Sequence, residues 1–291
     1  MKEKLTILTP TFNRKKEIIR LYNSLCNQSN KEFVWLIIDD GSTDDTKEVV
    51  NNFILEDKIK INYYYKNNGG KHTALNYAMN NINTEYVVVV DSDDFFNVND
   101  TNKIYKYINI KSDFIGIVFP RDNEYNRNIN LNELSNKHID IMDLKFLLNK
   151  NIETTILIKS TFFKRYEFPI FENEKFLSEE IIYDKMSKCG KFLLAEEYIV
   201  KSEYMNDGLT RSIYKMYRNS PKGTILLFNE RYHFLKKYKF KIRVKNRIKT
   251  IINLNALCMF TKKNIFNNTP NIAMSIILIF PSIIWGYFKY E

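Results

Sequence analysis

Apolar positions along the first hundred residues recur with two alternating periods. Leu5 to Leu8 is a short apolar run, and Ile18, Tyr22 and Leu25 then follow at spacings of four and three, the period of one helix face. The same order returns with Val34 to Ile38 before Val49, Val50 and Phe53, with Ile59 to Tyr65 before Ala74, Leu75 and Ala78, and with Val87 to Val90. Strands that alternate with helices predict βαβ units and a mostly parallel sheet covered by helices.

After Asp94 the pattern loosens. It predicts a helix around Asn102 to Ile108, a strand at Ile115 to Phe119, and a loop through the Asn-rich, charged stretch Arg121 to Lys137. A helix at Ile139 to Leu148, a strand at Thr154 to Ile158, a helix from Glu179 to Ser187 and a strand near Tyr198 to Tyr204 follow. From Ser220 onward only helical patterns remain, ending in the apolar stretch Ile272 to Tyr287, which Pro281 and Gly286 interrupt. The expected organisation is an α/β part over residues 1–215, with halves 1–100 and 101–215, and a helical C-terminal region over 216–291.

The chemistry concentrates where the fourth strand ends. Val87 to Val90 reads as a strand buried on both faces, and Asp91, Ser92, Asp93 and Asp94 follow at once. The carboxyl edge of an open α/β sheet is where ligands bind, and clustered carboxylates there repel one another unless a cation neutralises them. A hard divalent metal with phosphate oxygens in its shell answers that need. An isolated Asp-x-Asp is ordinarily a solvated loop, so its position after the valine run carries the weight.

Three more polar segments follow strands at the same expected edge. They are Thr9-Pro10-Thr11-Phe12-Asn13-Arg14, Asp39-Asp40-Gly41-Ser42-Thr43-Asp44 and Asn67-Asn68-Gly69-Gly70-Lys71-His72. Carboxylates there can accept the imide N–H of a uracil, while amides with a Lys or Arg can hold phosphate. Singly, each is an ordinary turn or a helix cap; four in succession after strands form one site.

With these segments in place, the chain resembles a family 2 glycosyltransferase of the GT-A fold, inverting and bacterial. Phe176-Leu177-Ser178-Glu179-Glu180 and Tyr204-Met205-Asn206-Asp207-Gly208-Leu209-Thr210 extend the resemblance over roughly the first 215 residues. It implies a UDP-sugar donor, Mn²⁺ or Mg²⁺ held through Asp91 and Asp93, and a carboxylate base within Ser178-Glu179-Glu180. Glu180 takes the usual base position, and Glu179 stays open because related sequences keep only the first acid. By the same resemblance Asp40, or more weakly Asp39, binds uracil, Lys71 approaches the diphosphate, and Thr210 or Arg211 meets phosphate. Thr9, Pro10, Thr11, Asn13, Arg14, Asn68 and Ser92 complete the expected donor-site set. His72 reads as a hydrogen-bonding or packing group, and His138 and His233 lie outside every motif. The acceptor is expected to be a saccharide or a lipid-linked hydroxyl in cell-surface polysaccharide synthesis: capsule, exopolysaccharide, lipopolysaccharide or teichoic acid.

Composition narrows the setting. Cys26, Cys189 and Cys258 are far apart and in no metal-ligand spacing, so they read as reduced thiols, and Met1-Lys2-Glu3-Lys4 runs into a strand without an apolar signal core. A cytoplasmic protein is expected. The formal charge of +10 gathers late, at Lys236 to Lys249 and Lys262-Lys263. With the apolar stretch beyond, and with Trp285, Tyr287 and Phe288 in it, this suggests peripheral contact with the inner face of the cytoplasmic membrane rather than nucleic acid. The competing reading is a C-terminal helix packed as core or against another subunit. A sugar nucleotidyltransferase would need a glycine- and basic-rich loop after the first strand, and a dinucleotide-binding dehydrogenase would need Gly-x-Gly-x-x-Gly; neither is present. A non-catalytic membrane-surface or nucleic-acid binding module would leave the acidic strand end without a purpose.

Overall fold

The computed structural model describes residues 3–110, 113–129, 138–147, 152–202 and 213–290. The first part of the chain forms β1 (Leu5–Thr11), α1 (Lys15–Cys26), β2 (Phe33–Asp39), α2 (Thr46–Glu56), β3 (Lys60–Tyr65), α3 (Lys71–Met79) and β4 (Tyr86–Val89). Then come α4 (Asp100–Ile108), β5 (Gly116–Pro120), α5 (Glu124–Arg127), β6 (His138–Ile139), α6 (Ile141–Phe146), β7 (Thr154–Lys159), α7 (Ser160–Phe163), α8 (Glu180–Met186) and β8 (Phe192–Leu194). The remainder is helical: α9 (Ile213–Asn219), α10 (Pro221–Phe234), α11 (Phe240–Phe260), α12 (Ile265–Asn268), α13 (Ile272–Ile277) and α14 (Ile279–Tyr290).

The strands join in the order β3-β2-β1-β4-β7-β5-β8-β6. The β3-β2-β1-β4 half is parallel throughout, as the alternating periods predict. Every residue of β1 and β2 is buried, which is why Phe33 to Ile38 reads as an unbroken apolar run, while β1 buries its threonines along with Leu5, Ile7 and Leu8. Tyr22 of α1, Trp35 of β2 and Phe53 of α2 stack over this half, the Tyr22 and Phe53 rings 3.8 Å apart.

β7 is antiparallel to both β4 and β5, so β4 and β5 point the same way and their carboxyl ends share one edge. Val88 and Ile117 both face Leu157, which brings Asp91 level with Pro120. In place of the strand expected near Tyr198 to Tyr204, the last described residues there make two isolated bridges, Arg121 with Ile199 and Phe95 with Lys201, and the sheet strand is the shorter β8. Pro281 does not break α14, because it stands third in that helix, where the first-turn N–H groups have no intrahelical partner.

The chain divides into two compact units, Met1–Glu167 with Lys185–Tyr204, and Phe168–Asp184 with Met205–Glu291. The sheet belongs to the first. In the second, the short segment Phe168–Asp184, which the sequence pattern groups with residues 1–215, packs with the C-terminal helices. Glu174 accepts the backbone N–H groups of Lys222 and Gly223, both at 2.8 Å, at the start of α10, and Phe176 donates its N–H to Ser220 Oγ at 3.2 Å.

Candidate active site

The first unit gathers four strand ends. Beyond β4, Asp91, Asp93 and Asp94 each offer a carboxylate oxygen, and these lie within 4.8 Å of one another. Two cations bear on them. Lys71, at the first position of α3, places Nζ 2.5 Å from Asp91, and Arg121, just past β5, lies 2.8 Å from Asp94 and 3.4 Å from Asp91. Burial works against ionising Asp91, but Lys71 and Arg121 outweigh it and hold its carboxyl down at about 2. Asp94 is only 3% exposed; burial pushes its carboxyl up to about 7, with repulsion from Asp91 and Asp93 adding to it and Arg121 opposing. Ser92 is buried between them in sequence, and Arg20 of α1 donates to the Asp93 carbonyl.

An all-oxygen donor set suits a hard divalent ion such as Mg²⁺ or Mn²⁺. The residues fit one: the cluster already draws two cationic side chains, so it is built around positive charge.

The β2 and β3 ends are tied together. Asp40, 3% exposed, accepts four hydrogen bonds on its two oxygens. Lys66 Nζ at 2.5 Å and Gly69 N at 3.0 Å reach Oδ1, while Gly70 N at 2.6 Å and Asn68 Nδ2 at 3.2 Å reach Oδ2. Asp39 is likewise engaged, by Ser42 N at 2.7 Å and the Tyr63 hydroxyl at 2.8 Å. Gly41, at φ 87°, lies so close to Asn68 that a Cβ would sit 2.7 Å from its backbone nitrogen, which fixes glycine at that position. Asp40 is therefore the clamp of these two loops, and a carboxylate has about four acceptor sites in all.

Asn13, in the left-handed region at φ 51°, joins the β1 end to the same cluster. Its Oδ1 accepts Thr43 N at 2.8 Å, and its own N–H donates to Ser42 Oγ at 2.9 Å. Arg14 leads into α1 and pairs with Glu17. Thr9, Pro10 and Thr11 are still within β1; the Thr9 hydroxyl accepts the Trp35 indole N–H at 3.0 Å and so serves the core. His72 is 2% exposed, and burial holds its imidazole below its usual range.

In the second unit, Ser178, Glu179 and Glu180 lead into α8. Glu180 makes a two-pronged ion pair with Arg231 of α10, Oε1 to Nε at 2.6 Å and Oε2 to a terminal nitrogen at 2.7 Å. Glu179 accepts the Tyr183 hydroxyl at 2.7 Å. Thr210, Arg211 and the rest of the Tyr204 to Thr210 motif lie outside the described residues.

The structure thus brings together the loops carrying Asn13, Asp39, Asp40 and Asn68, and separately Lys71 with Asp91, Asp93 and Asp94. Sequence patterning missed Lys66, Arg121 and Arg231. Arg121 had one usable signal: it is a basic residue directly after a strand, at the edge where the acids collect.

Comparison with known proteins identifies the family and the fold. The model of the glycosyl transferase family 2 matches residues 6–174. TarS of Staphylococcus aureus, a poly(ribitol-phosphate) β-N-acetylglucosaminyltransferase, is 35% identical over 96 residues, 32% of this chain and 17% of TarS. A glycosyltransferase of Mycoplasma genitalium is 37% identical over 123 residues, 40% of each chain. These alignments thus span well under two thirds of the relatives' length. Among solved structures, S. aureus TarS 1–349 with UDP-GlcNAc superposes with a TM-score of 0.61 at 16% identity, over 99% of this chain and 89% of that one. A mannosyltransferase of Pyrobaculum calidifontis with GDP-Man and Mn²⁺ gives 0.60 at 14% identity, over 98% and 84%. The architecture is that of the GT-A glycosyltransferases, and the chain belongs to glycosyl transferase family 2.

Proposed function

We propose that this protein is a metal-dependent inverting glycosyltransferase that moves a sugar from a UDP-sugar to a hydroxyl of a saccharide or lipid-linked acceptor. Its setting is cell-surface polysaccharide synthesis at the inner face of the cytoplasmic membrane. The observation that carries the reading is the Asp91, Asp93, Asp94 cluster with Lys71 and Arg121 against it, at the carboxyl edge of the parallel strands. The bound nucleotides of the TarS and P. calidifontis structures support a nucleotide-sugar donor.

Asp91 and Asp93 would hold the divalent ion, which supplies positive charge to the departing diphosphate. Lys71 would exchange its pairing with Asp91 for a phosphate oxygen of the donor, a reading supported by its Nζ lying 2.5 Å from the acid cluster. The loop clamp centred on Asp40 shapes the uracil pocket, and the imide N–H would reach Asp40 or Asp39 only by displacing one of the donors that already engage them. The acceptor oxygen attacks the anomeric carbon from the opposite side, and the bond to the diphosphate breaks with its electron pair leaving on UDP. The hydroxyl proton passes to a carboxylate of the Glu179–Glu180 pair. Arg231 orients Glu180; both Glu180 oxygens are paired to it, so acting as base requires Glu180 to give up part of that pair.

UDP release from a panel of UDP-sugars, with Mn²⁺ and with chelator, tests this. Release that needs metal and is lost in Asp91→Asn and Asp93→Asn, both folded by thermal melt, is expected. Metal-independent release, or undiminished turnover in both variants, overturns the assignment.

A further inference from the structure

The last two helices of the second unit, α13 and α14, are packed inside out. On α14 the buried positions are Ser282, Gly286 and Tyr290, one stripe at four-residue spacing, and on α13 the buried residue is Ser275. Polar groups hold this inner side. Trp285 donates its indole N–H to Asn253 at 2.9 Å, and the fully buried Asn255 donates to the Ser275 carbonyl at 3.0 Å. Gly286 lies against the Phe260 ring of α11 with no room for a Cβ. The large apolar side chains point the other way: Ile277 is 76% exposed, Phe280 72% and Phe288 79%, with Ile276, Ile284 and Tyr287 beside them in sequence and also exposed.

A helix packed on a core in water has the opposite arrangement, apolar stripe inward and polar face outward. Small residues at the helix contact with large apolar residues facing away is how helices pack when the surrounding medium is itself apolar. No helix among the described residues is long and apolar enough to cross a membrane. At 12 residues, α14 is about 18 Å long, short of the hydrocarbon thickness of about 30 Å.

Charge selects the occupant of this face. From Ile213 to Tyr290 the sequence holds fifteen Lys and Arg against one acid, Glu230, an excess larger than the +10 of the whole chain. Lys241, Lys245 and Lys249 form an exposed row at four-residue spacing on α11, and Lys262, Lys263 and Lys289 are exposed near the ends of α11 and α14. Closing this face on a second copy would set like charges against like, because such an interface repeats the same patch on both sides. An anionic lipid surface complements both the apolar ridge and the lysines.

We infer that α13 and α14 form a membrane-interface foot, in which Ile276, Ile277, Phe280, Ile284, Tyr287 and Phe288 enter the headgroup–acyl boundary of an anionic bilayer while the α11 lysines lie against its phosphates. The inference rests on the placement at a membrane given above, not on the transfer chemistry. Two variants of the full chain test it, Ile277→Ser/Phe280→Ser/Phe288→Ser and Lys241→Gln/Lys245→Gln/Lys249→Gln. All six positions are exposed, so both variants are expected to melt like the parent. Flotation is measured with phosphatidylcholine vesicles, with and without phosphatidylglycerol, at low and high salt, alongside light scattering in buffer and UDP release in solution.

The parent should float with phosphatidylglycerol vesicles and much less with phosphatidylcholine alone. The apolar variant should lose roughly a hundredfold or more in partitioning. The lysine variant should lose several-fold, with a flatter salt dependence. UDP release from soluble substrates should stay at the parent level in both, which separates the foot from the catalytic reading. Absence of flotation by the parent, or equal flotation by the apolar variant, overturns the inference. So does a parent dimer that the apolar variant converts to monomer without any change in flotation, since the face would then belong to a second copy.

Discussion

Replacing Asp40 with Ala removes the acceptor of four hydrogen bonds and one partner of an ion pair whose side chains are only 17% and 5% exposed. Breaking a buried pair by deleting one partner costs about 3 to 5 kcal/mol. Lys66 keeps the Asn67 carbonyl at 2.6 Å and the Thr73 hydroxyl at 2.8 Å, which favours the lower end. The Gly69 and Gly70 N–H groups lose their partner as well, at about 1 to 3 kcal/mol each if water does not reach them. A total of about 5 kcal/mol corresponds to a melting-temperature loss of roughly 10 to 20 °C for a unit of this size. Scanning calorimetry of Asp40→Ala, Lys66→Met and the double variant measures it, with a coupling of about 1 to 3 kcal/mol expected between the two positions. UDP affinity by titration calorimetry should fall in Asp40→Ala because the loops that form the pocket come apart. An unchanged melting temperature with weakened UDP binding would refute the clamp and leave Asp40 solely as a base contact. Unchanged values of both would remove Asp40 from the site.

Three further outcomes follow from the geometry. Arg121→Gln should lower the melting temperature more in chelator than in Mn²⁺, because a bound ion restores part of the positive charge taken from Asp91 and Asp94; equal losses in both conditions would contradict that role. Glu180→Gln should lower stability by about 3 kcal/mol, since it strands the Arg231 guanidinium, whereas Glu179→Gln should leave stability nearly unchanged. Between these two, the variant that loses turnover while keeping UDP-sugar binding marks the base, and retained turnover in both places it elsewhere. His72 is held neutral by burial, so the folded state binds fewer protons than the unfolded chain just below pH ~6.5 and stability drains away there as pH falls. His72→Leu should accordingly gain on the parent in melting temperature from neutral pH down to about pH 5, and a constant difference would show that the imidazole does not titrate with folding.

The parallel half of the sheet was legible because short stretches rich in apolar and aromatic residues alternate there with helix periods, a signal contained in a few neighbouring residues. The acid cluster was legible for the same reason, as Asp91 to Asp94 are contiguous after Val90. Arg121 was not. It meets Asp91 only because β7 inserts antiparallel between β4 and β5, and nothing in a local pattern fixes that pairing. β8 has three residues, too few to show a period, while the alternation near Tyr198 to Lys201 makes only isolated bridges. Asp40 was singled out in the sequence, but its four internal donors were not foreseeable, because three of them sit in a loop whose fold depends on the close approach at Gly41. The apolar content of α13 and α14 was evident, yet which side of each helix faces out depends on α11, and so their reversal could be seen only in three dimensions.

The path of the chain constrains how this protein can be recombined. Phe168–Asp184 is threaded out of the sheet-bearing unit and back again, and within that excursion Glu174 and Glu180 are bonded to α10. A chimera with a single junction near residue 215 would inherit the acids from one parent and their helical partners from the other. A transplantable block must instead carry both pieces, with junctions on each side of the excursion as well as before α9. Drift in the tail and drift around Glu179 and Glu180 are accordingly expected to be correlated, so that the helices of the C-terminal region and the acids of the candidate base segment are handed down as one piece.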